Sequence, residues 1–188
     1  MIMEKETEYR DKLADIIKYS ALGYDRFLTI ADSGNVSSRY RDGILITASG
    51  VSLKEVTEDG VLYVGMNGEV LSNPGGLKPS KETQMHLAIY RQRPDVQGVY
   101  HVHPAYATTY AVKGKEIPFL TSTAKRKIVA APLVPYAPPG SEELGRYVSD
   151  ALSREDRSIH SLLLKDHGIV TFGESLEQSF FLAELLEM

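Results

Sequence analysis

The apolar positions of this chain follow two different periods. Leu13, Ile16, Ile17 and Leu22 recur near helical spacing and predict an amphipathic helix over residues 5–22. The segment from Gly34 to Tyr40 and the run Ile44-Leu45-Ile46-Thr47 read as strands, with Asp42-Gly43 between them as a hairpin signal. Ala48-Ser49-Gly50 breaks the second strand. A further hairpin follows in Val61-Leu62-Tyr63-Val64, Asn67-Gly68 and Glu69-Val70-Leu71. Residues 72–79 form a Gly/Pro-rich loop, and Ser80 is placed to cap a helix of about residues 81–93 that Pro94 ends. An apolar run from Val96 to Val102 reads as a strand, then Pro104 to Val112 as a helix and residues 128–136 as a strand. Ser141 opens a helix to about Ser153. Ile159–Lys165 and Ile169–Phe172 are strand-like, and Leu176–Leu186 is helical. Hairpins interspersed with helices fit a central, largely antiparallel sheet covered by helices on both faces. No repeat, low-complexity segment or long linker divides the chain, so residues 1–188 are expected to form a single domain.

Composition narrows the function classes. A net charge of −4 gives no electrostatic reason to expect nucleic acid as a partner. The absence of cysteine excludes disulfides and thiolate metal ligands. The charged start, Met1-Ile2-Met3-Glu4-Lys5-Glu6, lacks a signal-peptide apolar core, and no apolar run approaches a membrane span of about 20 residues. The expectation is a cytoplasmic protein without a membrane partner.

The candidate chemistry lies in His101-Val102-His103. Alternation along a strand points both imidazoles to one side. Such a pair also occurs on strands as plain surface polarity, so its company decides. His167 stands in Lys-Asp-His-Gly at the mouth of another apolar segment, and Glu82 lies upstream in Pro-Ser-Lys-Glu. Three imidazole nitrogens and one carboxylate suit Zn²⁺ or a similar divalent ion such as Mn²⁺ or Co²⁺. His86, one helical turn after Glu82, is read as hydrogen-bonding within its helix or its surroundings, and His160 as a surface residue. Three donor-rich turns accompany the histidines: Ser33-Gly34-Asn35-Val36-Ser37, Thr47-Ala48-Ser49-Gly50 and Lys78-Pro79-Ser80-Lys81-Glu82. Glycine lets backbone N–H groups approach an anion, and a helix start favours one. Each turn alone is ordinary; together with the histidines they suggest a phosphate pocket beside a metal.

The ordered set Gly34-Asn35-Val36-Ser37, Ala48-Ser49-Gly50, Lys78-Pro79-Ser80-Lys81-Glu82, His101-Val102-His103, Pro135-Tyr136-Ala137 and Asp166-His167-Gly168 resembles the class II aldolase/adducin family, in particular its fuculose-phosphate aldolase branch. The resemblance implies a three-layer α/β/α sandwich and a homotetramer with active sites between neighbouring subunits. It matches His101, His103 and His167 to zinc ligands. Glu82 matches the carboxylate that binds the resting metal and serves as acid/base. Asn35, Ser49, Gly50 and Ser80 match phosphate-binding positions. The implied reaction cleaves a ketose 1-phosphate to dihydroxyacetone phosphate and an aldehyde, with Glu82 moving a proton at carbon. Lys81 departs from the pattern, standing where a second serine is common; it can meet phosphate as a point charge or face solvent. Phe119-Leu120-Thr121-Ser122 lacks the tyrosine with which related aldolases protonate the departing oxygen. Relatives also often continue past the last helix into a tail, whereas this sequence stops at Met188. The same scaffold serves sugar-phosphate 4-epimerases, dehydratases and decarboxylases, and a non-catalytic adducin-like interaction module. Epimerases usually carry Asp at the position of Glu82.

Overall fold

The computed structural model describes residues 2–154 and 157–188; Met1, Glu155 and Asp156 lie outside them. The chain opens with helix α1 (Ile2–Asp25), longer at both ends than its apolar stripe. Strands β1 (Asn35–Tyr40) and β2 (Gly43–Thr47) form the first hairpin, β3 (Val61–Gly65) and β4 (Val70–Ser72) the second. Then come α2 (Thr83–Gln92), β5 (Gly98–Val102), α3 (Ala105–Lys113), α4 (Ser122–Lys127) and β6 (Leu133–Val134). Helix α5 (Glu142–Arg154), β7 (Ser161–Leu164), β8 (Gly168–Gly173) and α6 (Leu176–Glu187) complete the order.

The strands make one sheet in the order β4-β3-β2-β1-β5-β8-β7-β6, antiparallel except where β6 pairs with β7. Alternate side chains along each strand feed two separate cores. Leu45, Tyr100, Val102, Leu163 and Ile169 pack under α1, α3, α4 and α6. Ile44, Ile46, Val99, Leu162, Leu164 and Val170 pack under α2 and α5. This is the expected three-layer sandwich. Each central strand is buried on both faces, which is why Gly98–Val102 reads as a continuous apolar run rather than a clean alternation. No helix among the described residues is long and apolar enough to cross a membrane.

Three expectations need correction. Of residues 128–136 only Leu133 and Val134 join the sheet, because Pro132 and Pro135 bracket them and offer no N–H to a ladder. Helix α4 lies where the apolar pattern predicts no element. It is a short segment capped by Thr121, whose Oγ1 accepts from the Ala124 N–H at 3.2 Å, with Ala124 its one buried side chain and hence no apolar period to read. Ser80 is not the N-cap of α2. Its Oγ accepts from the Glu82 N–H (3.2 Å), while Thr83 Oγ1 donates to the Ser80 carbonyl (2.7 Å). These bonds hold Ser80 to Glu82 in a turn, so the helix begins at Thr83 and Glu82 occupies the N-cap position.

Candidate active site

The site gathers where β1, β5 and the β7–β8 turn meet the start of α2. In the sheet register Asn35 lies opposite His101, and His101 opposite Val170. Tyr100 and Val102 turn into the core beneath α1 and α6, so His101 faces the α2 side. His103 follows immediately after β5. His167 sits in the turn Lys165-Asp166-His167, where Asp166 adopts a left-handed φ of 55°. The three imidazoles converge: ring centroids are 4.6 Å (His101–His103), 4.7 Å (His101–His167) and 5.2 Å (His103–His167) apart. One nitrogen from each lies within 4.8 Å of the others.

Glu82 enters this group from above. Its Oε2 lies 2.8 Å from His101 Nε2 and its Oε1 3.3 Å from His167 Nε2. Neither approach has the alignment of a hydrogen bond, which leaves Glu82 Oε1 and His101 Nε2 buried without a hydrogen-bond partner among the described residues; His167 Nδ1, on the other side of its ring, is likewise buried and unpaired. Buried polar atoms left unpaired are costly, and here they belong to a histidine and carboxylate set suited to a divalent cation. His101 Nδ1 lies 2.8 Å from the Ile169 carbonyl and donates to it, which keeps Nε2 toward the cluster, as is common for metal-binding histidines. The donor set therefore fits a divalent ion.

Electrostatics agree with that fit. Burial, then His101 and His167, push His103 down to about 3; burial, then His101, push His167 down to about 4. Both rings are thus neutral near pH 7, the form that ligates a metal. Burial works against charge on both members of the His101–Glu82 pair. Their mutual attraction outweighs it, raising His101 and holding the Glu82 carboxyl well below the usual range.

A second ring of polar residues supports the first. Glu82, His86 and Tyr90 recur at helical i, i+4 and i+8 positions, while Asn35, Ser37 and Arg39 alternate along β1. The two stripes meet. Asn35 Nδ2 donates to Glu82 Oε2 at 3.0 Å, and Asn35 Oδ1 lies 2.6 Å from His86 Nε2. His86 Nδ1 lies 2.7 Å from Ser37 Oγ, which is 3.0 Å from the Tyr90 hydroxyl. Arg39 donates to the Tyr90 carbonyl (2.8 Å), and its guanidinium stands over the Tyr90 ring. The sequence alone predicts for His86 no more than hydrogen bonding in its surroundings. The signal that could have placed it is the 82/86/90 spacing beside a polar 35/37/39 stripe.

The three turns border one cavity of about 350 Å³, lined by Ser33, Gly34, Asn35, Ser49, Gly50, Ser80, Lys81, Glu82, His103 and His167 among others. All the sequence-predicted site residues line it except His101, which is fully buried behind Glu82. Gly34 (φ 83°) and Gly50 (φ 75°) take left-handed conformations that favour glycine. The Ser49 N–H donates to the Lys78 carbonyl at 2.9 Å and ties the second turn to the third. Asn35 spends Oδ1 and one N–H inside the protein and keeps its second N–H. Lys81 is exposed at the cavity edge. His160 lies outside the site, half-buried, with Nδ1 3.0 Å from the Phe172 carbonyl.

Known proteins share both the sequence pattern and the architecture. Residues 14–188 match the family model for the class II aldolase and adducin N-terminal domain. An L-fuculose phosphate aldolase from Methanococcus maripaludis is 34% identical over 175 residues, covering 93% of this chain and 92% of that protein. The L-fuculose phosphate aldolase of Escherichia coli K12 is 33% identical over 183 residues, covering 95% and 81%. Among solved structures, an L-fuculose 1-phosphate aldolase superposes with a TM-score of 0.85 at 28% identity, covering 94% of this chain and 82% of that one. A putative aldolase/epimerase/decarboxylase from Klebsiella pneumoniae gives 0.84 at 28% identity, covering 95% and 86%. The chain belongs to the class II aldolase and adducin family and is a lyase of that family.

Proposed function

We propose that the protein cleaves a ketose 1-phosphate to dihydroxyacetone phosphate and an aldehyde, working as a homotetramer. The observation that carries this reading is Glu82: a buried carboxylate between His101 and His167, facing a cavity bordered by three donor-rich turns. His101, His103 and His167 would hold a divalent cation, with Glu82 as a fourth ligand in the absence of substrate. Zn²⁺ suits a set of nitrogens and one carboxylate, and Mn²⁺ or Co²⁺ are the alternatives. Bound there, the cation supplies Lewis-acid polarisation of the substrate carbonyl and its neighbouring hydroxyl.

The chain's own groups do the rest. Asn35, Ser49, Gly50 and Ser80, with Lys81 at the edge, bind the phosphate and so fix the sugar's carbon chain against Glu82. Cleavage breaks the bond between carbons 3 and 4: the 4-hydroxyl gives up its proton as its oxygen becomes the aldehyde carbonyl, and the Glu82 carboxyl delivers a proton to carbon 3 of the dihydroxyacetone phosphate; in the reverse direction the Glu82 carboxylate removes that proton. An ordinary carboxylate is a weak base, and beside His101 and His167 Glu82 is weaker still; displaced from them by substrate, it would keep the desolvation of the pocket without their attraction, and its proton affinity would rise. The names of the two relatives and of the first solved structure support the sugar-phosphate class. The second neighbour's name keeps epimerisation and decarboxylation as the competing chemistries.

The test is direct. Metal content is measured on the purified protein, and a panel of ketose and aldose phosphates is incubated with the metal-loaded form. Dihydroxyacetone phosphate released from a ketose 1-phosphate is the expected result. Epimeric sugar phosphate, dehydrated product or carbon dioxide as sole product replaces the aldolase reading.

A further inference from the structure

His86 is fully buried and has both ring nitrogens occupied, so it is not a metal ligand. Donors and acceptors around it have one consistent assignment. Glu82 accepts from Asn35 Nδ2. Asn35 Oδ1 can only accept, so His86 Nε2 carries a proton and donates to it. Burial keeps the His86 ring neutral, pushing it down to about 3. Nδ1 is therefore a bare acceptor, and Ser37 Oγ donates to it. Ser37 has then spent its proton, and the Tyr90 hydroxyl donates to the Ser37 carbonyl at 3.0 Å. The chain of donation runs one way, from the Ser37 hydroxyl through His86 and Asn35 to Glu82.

That direction has a consequence for Asn35. An amide rotated by half a turn would set Oδ1 against a carboxylate oxygen and Nδ2 against the Nε2–H donor, two repulsive contacts. The Glu82 carboxylate, which can only accept, draws Nδ2 toward it, and the His86 Nε2–H, with Nδ1 occupied by Ser37, holds the other end of Asn35 in place. We propose that His86 is a positioning residue of the active site: through Asn35 it holds the Glu82 carboxylate in the orientation its partners require, without touching cation or substrate. The kinetic part of the proposal rests on the aldolase reading; the metal-binding part does not.

Three variants test it. His86→Phe keeps a ring but removes the donor. His86→Gln keeps an N–H near the position of Nε2 but offers nothing to Ser37. Ser37→Ala leaves the ring and frees its tautomer. Two quantities are measured on each: Co²⁺ affinity by competition with a chelating dye, and the rate at which a dihydroxyacetone phosphate hydrogen exchanges with deuterated solvent. Replacing a partner that orients a ligand typically costs about 10–100-fold. His86 acts one residue further out, so His86→Phe should weaken Co²⁺ binding and lower kcat for exchange by about tenfold, with KM little changed. His86→Gln should recover most of both, and Ser37→Ala should show a smaller loss in the same direction.

A His86→Gln protein as impaired as His86→Phe overturns the proposal, because the ring would then serve only to pin α2 to β1 through Ser37. Wild-type Co²⁺ affinity and exchange in His86→Phe overturn it as well. Should that variant fail to fold, Ser37→Ala decides: wild-type values in both measurements reject the role. Wild-type protein that binds Co²⁺ but exchanges no hydrogen would reject the aldolase reading instead, and Co²⁺ affinity alone would then judge His86.

Discussion

Glu82 stands at a helix N-cap position, yet its side chain makes no cap hydrogen bond. It turns away to Asn35, His101 and His167. An acid that merely complemented the helix dipole would contribute about 0.3–1 kcal/mol of stability, and Glu82→Gln would then cost a little stability and no activity. A base at carbon behaves otherwise, since a neutral amide cannot take the proton. Glu82→Gln should fold, retain metal through three histidines, and exchange a dihydroxyacetone phosphate hydrogen with deuterated solvent about 10²–10⁴ times more slowly. Wild-type exchange in a metal-loaded variant would remove Glu82 from the role. His101 belongs to the same scale. It is fully buried, and its Nδ1 is fixed by the Ile169 carbonyl, so its Nε2 is the best-oriented donor of the three. His101→Ala should strip most of the metal from purified protein, read by elemental analysis; full occupancy would refute the ligand set.

At the scale of elements, the site depends on how closely β5 and β8 approach. A Cβ on Gly168 would lie 2.5 Å from His103 Cδ2 and 2.7 Å from the Val102 carbonyl oxygen. Neither neighbour is a flexible chain end, so Gly168→Ala should push His103 out of the cluster. Overpacking of this kind costs about 1–3 kcal/mol. The expected outcome is a lower melting temperature together with weaker Co²⁺ binding; unaltered affinity would show that His103 has room to adjust. The same elements show what a sequence displays. Strand alternation by itself puts His101 and His103 on one side, and the Asp-Gly and Asn-Gly turns mark both hairpins. Periodicity assigns a residue to a face but not to a partner. Hence Asn35 can be matched to an anion turn, while its bonds to Glu82 and His86 depend on the register of β1 against β5 and on where α2 lands. Ser80 reads as a helix cap because the turn that delays the helix to Thr83 uses the same residue types as a cap.

For the whole molecule, the sandwich brings together groups far apart in sequence, and its surface carries a second message. Tyr106, Val112, Leu120, Val129 and Tyr136, all between the start of α3 and the loop that follows β6, are exposed. Leu120 is 77% exposed and Tyr106 72%. Single exposed apolar residues are ordinary; several large ones within one stretch of chain suit an interface between copies. The proposed homotetramer would give these side chains partners. Leu120→Asp adds a charge where the lone subunit has only solvent, so the stability of that subunit should change by no more than about 0.5 kcal/mol. In the assembly the charge would be buried against apolar surface. Sedimentation velocity should therefore find the wild type near four times 20.8 kDa and the variant at smaller species, with its circular dichroism retained. If active sites lie between neighbouring subunits, exchange activity per chain should fall with dissociation and return at high protein concentration. A wild-type protein that sediments as a 20.8 kDa species while fully active would overturn both the tetramer and the shared site.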